Sequence, residues 1–340
     1  MPGDGLPPAE RVRELVNGFW AAQVINAAIL LGVVDGLAQG PLDAAALAAA
    51  ASAHAPSLLR LMRALKTLDL VSQGADGRWS LTEAGRYLRA ETEGSVRGRA
   101  LFTGDMLWKQ FGDLAHVVRT GGTAPSVPSG AEGFAALASD PGRLHAFQTA
   151  MAESSVIAAR EAMAAYAFGR YGSVLDLGGG YGGVLRQLLT ANPAQTGAVC
   201  DLGYLADGSA EYLRANGVAD RARFIAGDFF EAVPGGFDCI LMKFIVHDWA
   251  DDPARRILAN ARASAAATAR LVLLEQVVPD RLGSGLADQA VIRADLTMMT
   301  VGGKERTVAE YRELLAEAGW RLTQVTPAGP SFSVIEAEPV

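Results

Sequence analysis

The run Val174-Leu175-Asp176-Leu177-Gly178-Gly179-Gly180-Tyr181-Gly182-Gly183 constrains this chain more than any other stretch. A short apolar strand carrying an acid runs into a turn of glycines. Val184-Leu185-Arg186-Gln187-Leu188-Leu189 then reads as the start of a helix. Glycine lets a backbone turn sharply and lie close against a ligand. The helix behind it offers unpaired N–H groups and the positive end of its dipole, a place for a carboxylate or phosphate.

Composition narrows the setting. A length of 340 residues allows one long domain or two shorter ones. The 30 basic and 37 acidic side chains leave a charge of −7, which argues against a general nucleic-acid binder. Cys200 and Cys239 sit in apolar, strand-like runs and read as buried reduced thiols, as in the cytosol. Met1 to Glu10 shows no secretory pattern. The longest apolar run, Val24 to Val34, contains Asn26 and is too short to span a bilayer. The expectation is a cytoplasmic protein with no membrane partner.

Residues 1–100 read as helices and then a hairpin. Glu10 to Leu37 has apolar residues at helical spacing and is greasy on more than one face, through Phe19, Trp20, Ile29, Leu30 and Leu31. Such a helix is usually buried against something, here a second copy of the chain. Ala44–Ala53 and Leu58–Leu68 follow as helices. Leu70-Val71-Ser72 and Arg78-Trp79-Ser80-Leu81 flank Gly74-Ala75-Asp76-Gly77, a hairpin signature. Thr82 then opens another helix through Leu88. This is winged-helix order, which raises DNA binding as a non-enzymatic alternative. The candidate recognition helix carries Arg60, Arg63 and Lys66 on one stripe, without the polar mixture that reads base edges, so a solvated face is the better reading.

Residues 101–340 form the second expected domain. Helices broken at Gly121-Gly122 and Ala124–Gly130 fill 101–170. Strands at Val174–Leu177, Thr196–Asp201, Arg223–Ala226, Phe237–Met242 and Arg270–Glu275 then alternate with helices at Ser209–Asn216, Pro253–Ala267 and Val308–Ala318. Alternation predicts an α/β fold with a parallel sheet covered on both faces. The last strands, Arg321–Val325 and Phe332–Ala337, have no helix between them and should close the sheet as an antiparallel hairpin.

The glycine turn fits two cofactors. Gly178, Gly180 and Gly183 match the dinucleotide pattern G-x-G-x-x-G. Asp176, Gly178, Gly180 and Gly182 match the D-x-G-x-G-x-G turn of S-adenosylmethionine (SAM) enzymes. The rest of the chain decides. The turn, Gly227-Asp228-Phe229-Phe230, Met242-Lys243-Phe244-Ile245-Val246-His247-Asp248-Trp249 and Gly302-Gly303-Lys304-Glu305-Arg306-Thr307 occur in that order. Together they resemble the SAM-dependent O-methyltransferases of plant phenylpropanoid and bacterial aromatic polyketide pathways over nearly the whole chain. The resemblance implies a Rossmann-like SAM-binding domain behind a winged-helix dimerisation domain, a homodimer, and an aromatic small-molecule acceptor in secondary metabolism.

It also implies residue roles. Asp201 takes the ribose hydroxyls; Asp228 and Phe229 meet the adenine, Phe229 by stacking; Lys243 contacts the adenine end. Asp176 lies near the methionine amino group, with Gly178 and Gly180 in the turn. Ser155, with Ser154 one position away, meets the methionine carboxylate. His247 follows a strand, in the crevice at a sheet's carboxyl edge. A phenol with a pKa near 10 is a poor nucleophile at pH 7, and a neutral imidazole is an available base. Glu275 and Glu305 match the acids that hold that ring. The sulfonium is the electrophile, so no metal is required. Asp251-Asp252-Pro253 reads as an acidic helix start rather than as ligands.

Phe147, Met151, Met298, Met299 and Trp108 are candidates for the acceptor pocket, each also readable as core. Two departures stand out: Asp201-Leu202-Gly203-Tyr204, where the family has Leu-Pro after the acid, and Thr300-Val301, where plant members carry Asn-Pro. Two rivals remain from the sequence: a SAM-binding relative repurposed for hydroxylation, decarboxylation or pericyclic chemistry, and an NAD-dependent oxidoreductase.

Overall fold

The computed structural model describes residues 6–92, 94–139, 141–329 and 332–340, in two compact units, Met1–Lys109 and Gln110–Val340.

In the N-terminal unit the expected helix over Glu10–Leu37 is three: Pro8–Asn17, Phe19–Leu30 and Val33–Ala38. Gly18 separates the first pair, and Gly32, in the left-handed region at φ 68°, ends the second helix and starts the third. Glycine is the residue that takes that conformation freely, which helical periodicity does not reveal. Helices Ala44–Ala50 and Ala55–Thr67 follow, the first capped by Asp43 accepting the Ala46 N–H at 2.8 Å. The hairpin β1 (Val71–Gln73) and β2 (Trp79–Leu81) is antiparallel, as expected. After it, the helix expected at Thr82–Leu88 is a short 3₁₀ segment, Ala84–Leu88, because the Thr82 hydroxyl takes the Gly85 N–H at 3.0 Å and tightens the turn. Ile29, Val34, Leu47, Leu58, Met62, Leu65 and Trp79 make the core. Arg60, Arg63 and Lys66 are all exposed. Helix Pro8–Asn17 buries nothing within its unit, and Val12, Leu15, Val16 and Phe19 stand 59–69% exposed.

The C-terminal unit holds a seven-stranded sheet. Its strands are β3 (Ser173–Leu177), β4 (Thr196–Asp201), β5 (Ala222–Ala226), β6 (Cys239–Lys243), β7 (Arg270–Glu275), β8 (Trp320–Ala328) and β9 (Phe332–Pro339). Their order is β5-β4-β3-β6-β7-β9-β8. The first five are parallel; β9 pairs antiparallel with β7 and β8, giving the terminal hairpin. β3, β6 and β7 are buried on both faces, which is why they read as continuous apolar runs rather than alternating ones. Leu175, Leu177, Leu271 and Leu273 face one apolar layer; Val174, Leu241, Val272 and Leu274 face the other. Fully burying each such side chain is worth about 1.5–3 kcal/mol, so the sheet is a rigid platform for its edge. Among the described residues no helix is long and apolar enough to cross a membrane.

Candidate active site

The carboxyl ends of β3, β4, β6 and β7 lie along one edge of the sheet, and most of the predicted residues collect there. Because β4 and β6 flank β3 on opposite sides, the crossover connections leave in opposite directions and open a crevice.

The glycine turn lines it. Gly178 and Gly180 have φ of 74° and 56°. A Cβ on Gly178 would strike Ile245, and one on Gly180 would strike the Gln148 side chain, so the turn is tightly walled from β6's exit and from helix Pro141–Ala165. Asp176, 1% exposed, curls beneath the turn and accepts the Leu185 N–H at 3.3 Å. Burial pushes its carboxyl up to about 7, against the Leu185 bond and the nearby Lys243 charge. Asp201 takes the Gly180 N–H at 2.8 Å through one oxygen and the Leu202 N–H at 2.7 Å through the other. Each oxygen keeps acceptor capacity for a hydroxyl.

Asp228 accepts the Phe230 N–H at 2.8 Å. The half-buried Phe229 ring borders Gly178 and lies 6.3 Å from Trp249. Lys243 Nζ donates to Ser155 Oγ at 3.1 Å, and Ser155 donates to the Met151 carbonyl at 2.7 Å. The Ser154 side chain lies outside the described residues. Burial pulls the Lys243 amine down to about 8, although Asp176, Glu275 and Asp248 favour its charge.

The second cluster begins one residue after β6. Phe244 turns the chain at φ 56°, and the next two N–H groups, of Ile245 and Val246, both point at Glu275 Oε1, at 3.2 and 3.0 Å. His247 follows, 8% exposed. Its Nδ1 bonds Glu305 Oε1 at 2.8 Å and lies 3.7 Å from Glu275 Oε2; its Nε2 lies 3.4 Å from Asp248 Oδ1. Burial alone would lower the imidazole pKa; Glu275, Asp248 and Glu305 outweigh it and lift it to about 9. Burial also pushes Glu275 up to about 7, against the His247 charge. Single donor atoms of His247, Glu275 and Glu305 fall within 4.8 Å of one another, a spacing also open to a cation. Arg306, 0% exposed, fixes the turn by donating to the Val246 and Trp249 carbonyls at 3.0 and 2.9 Å, and Lys304 N–H donates to the His247 carbonyl at 2.8 Å.

Of the acceptor candidates, Phe147 and Met151 are half-buried on helix Pro141–Ala165, flanking the Gln148 that walls the glycine turn. Met298 and Met299 lie in the last turn of helix Leu286–Val301; Met299 shares a cavity of about 470 Å³ with Asp295, Lys304 and Glu305. Trp108 belongs to the N-terminal unit, where its exposed ring lies 6.3 Å from Phe19. Sequence reasoning passed over Asp248, Gln148, Phe244 and Arg306. Asp248 had a signal, an acid beside the proposed base. The other three had none, because their roles come from partners far along the chain.

A parallel sheet ending in an antiparallel hairpin, with a glycine turn after β3 and an acid closing β4, is the arrangement of a Rossmann-like SAM-dependent methyltransferase. The chain matches the O-methyltransferase domain over residues 111–321 and the O-methyltransferase dimerisation domain over 13–91. It belongs to the O-methyltransferase family and is an enzyme using S-adenosyl-L-methionine. The phenazine O-methyltransferase PhzM of Lysobacter antibioticus is 31% identical over 340 residues, covering 98% of this chain and 97% of that protein. The crystal structure of LaPhzM matches with a TM-score of 0.91 at 30% identity, over 98% of this chain and 100% of that one. An O-methyltransferase from neocarzinostatin biosynthesis, solved with S-adenosyl-L-homocysteine and 1,4-dihydroxy-2-naphthoic acid, matches with a TM-score of 0.79 at 32% identity, over 94% and 96%.

Proposed function

We propose that the chain works as a homodimer and methylates a hydroxyl of an aromatic natural product, with His247 as general base and no metal ion. The observation that carries this is the placing of His247, clasped by Glu305 at 2.8 Å, in a turn whose Ile245 packs directly on Gly178 of the glycine turn. Base and cofactor cradle therefore share one crevice.

The residues present fit SAM. Gly178 and Gly180, at φ of 74° and 56°, give the sharp turn that lets backbone lie close to a ligand, and Asp201 keeps acceptor capacity for the ribose. Buried Asp176 supplies negative charge near an amino group, and Phe229 and Asp228 suit the adenine. The Lys243–Ser155 hydrogen bond groups the lysine with the serine, so we assign both to the methionine carboxylate rather than sending Lys243 to the adenine. Bound there, the cofactor supplies an electrophilic methyl group on a sulfonium.

The protein's own part is a proton. A carboxylate on Nδ1 fixes the tautomer that leaves Nε2 free to accept, and it stabilises the imidazolium that results. Glu275 holds the turn through two backbone N–H groups while adding charge near the ring. Phe147, Met151, Met298 and Met299 supply adaptable apolar walls, and Trp108 is kept as a further candidate. Relatives named for phenazine and for a dihydroxynaphthoic acid complex support a fused aromatic acceptor. The exposed Val12, Leu15, Val16 and Phe19 suit pairing with a second copy, and the buried free thiols Cys200 and Cys239 suit a cytoplasmic setting.

The test is His247→Ala, assayed with S-adenosyl-L-homocysteine and methylated product measured together, with and without chelator. Turnover should fall about 10²–10⁴-fold while SAM affinity stays within about twofold. Near-normal turnover removes the base, chelator-sensitive turnover removes the metal-free reading, and product without matching S-adenosyl-L-homocysteine points to repurposed chemistry.

A further inference from the structure

Phe244 is the one large side chain among the described non-glycine residues with positive φ, the others being Ser52 and Asp69. A bulky residue in the left-handed region is a strained choice that glycine would relieve, and such outliers persist where the side chain has a task. The Phe244 ring stacks on the His247 imidazole, with centroids 5.0 Å apart and planes 16° from parallel. The Lys243 ammonium lies 4.5 Å from the same ring's centroid, and Phe332 leans on it at 5.2 Å.

The geometry points to Phe244 as a positioning residue, whose ring holds the His247 imidazole flat and steadies its protonated form. This rests on the reading of His247 as base. Glu305 and Glu275 hold the Nδ1 edge of the imidazole and Asp248 lies 3.4 Å from Nε2; contacts at the two edges do little against tilting about the axis that joins them, and a parallel aromatic face blocks that tilt. A ring face also attracts a cation, so the imidazolium formed on taking a proton gains from it. The charges bearing on His247 from the surrounding elements are Asp248 in its own turn, Glu275 from β7, Glu305 from the segment after helix Leu286–Val301 and Lys243 from β6. Arg306 acts from the loop below through the Val246 carbonyl, and the buried Tyr311 hydroxyl faces Glu275 and Glu305.

Phe244→Leu keeps the bulk and removes the aromatic face; Phe244→Tyr restores it; Phe244→Gly removes ring and backbone strain together and guards against a leucine variant that does not fold. Histidine ring signals are followed by NMR across pH in the ligand-free enzyme, where four histidines keep assignment tractable. kcat is followed in parallel, with SAM affinity measured by calorimetry. The leucine and glycine variants should titrate His247 at lower pH and, above pH 9 where the imidazole is neutral in both enzymes, lose about two- to tenfold in kcat, with SAM affinity within about twofold and recovery in Phe244→Tyr. An unshifted His247 titration in the folded variants overturns the inference whatever turnover does, as does a loss that follows SAM affinity alone. Failure of the base reading is seen separately, as turnover surviving in His247→Ala, and the titration still decides the role of the ring.

Discussion

Glu305→Gln offers a sharp test of the acid cluster, since it keeps the side chain's shape and an oxygen for the Nδ1 hydrogen bond while deleting one charge. Lifting an imidazole from 6.5 to about 9 corresponds to roughly 3 kcal/mol in favour of the charged ring. Glu275, Asp248 and Glu305 supply that against burial, with Glu305 the nearest at 2.8 Å. One carboxylate of three, taken as about a third of that, is on the order of 1 kcal/mol, so the ring should titrate at lower pH in the variant. Two effects then oppose each other. Proton affinity falls about tenfold, and a base realising half or all of that in the transition state loses about three- to tenfold in its intrinsic rate. At pH 7, however, the neutral ring becomes about tenfold more abundant in the free enzyme, since both pKa values lie above that pH. The pH profiles of kcat/KM for the acceptor should therefore cross: nearly equal rates at pH 7, and a variant about three- to tenfold slower above pH 9. A rate lowered equally at every pH, with the rising limb unmoved, would refute the electrostatic argument and leave Glu305 a packing residue.

Asp176→Asn should separate stability from function. The native carboxyl is raised to about 7 while the unfolded one titrates near 3.8, so its contribution to stability is full below about pH 4 and lost as pH rises through 7. Calorimetric melting at pH 8 should show the variant stabilised by a few degrees, with SAM affinity reduced at least about tenfold; a less stable variant would mean that the carboxylate is compensated in the native state. Wild-type SAM affinity should peak between about pH 7, where Asp176 ionises, and about pH 8, where the Lys243 amine loses its proton. Isothermal titration from pH 6 to 9 that showed no such maximum would detach these two groups from the cofactor.

Much of the scaffold could be read from residue order because local chemistry decides it. A strand buried on both faces is a run of apolar residues, and a glycine-rich turn followed by an apolar helix start leaves little choice of geometry. β4 and β7 span the stretches their sequences marked, Thr196–Asp201 and Arg270–Glu275. β6 begins two residues later than its apolar run implied, at Cys239, because Asp238 spends its side chain on Ser173 N–H and Oγ at 2.9 and 3.0 Å and anchors the entry to the strand. The breaks at Gly18 and Gly32 were not legible because both flanks share one hydrophobic rhythm; at Gly32 the interruption is a left-handed backbone at φ 68°.

The active site divides the same way. His247, Glu275, Glu305, Asp201 and Asp176 could be named because the motifs that carry them resemble those of the O-methyltransferase family, and the structure puts Asp176, Asp201 and Glu275 at or next to the ends of β3, β4 and β7. Their energetics were not legible. Nothing in Val246-His247-Asp248 says that three carboxylates from three parts of the chain meet one imidazole, since Glu305 is 58 residues away. The consequence is a buried imidazole whose charged form those carboxylates favour against burial, which a reading based on an ordinary histidine misses. The same holds for Phe244. Its φ of 56° is what bends the chain so that Ile245 and Val246 both reach Glu275, and its ring then covers the histidine that this bend delivers. Sequence names the groups that carry protons; only the tertiary structure tells how tightly each is made to hold one.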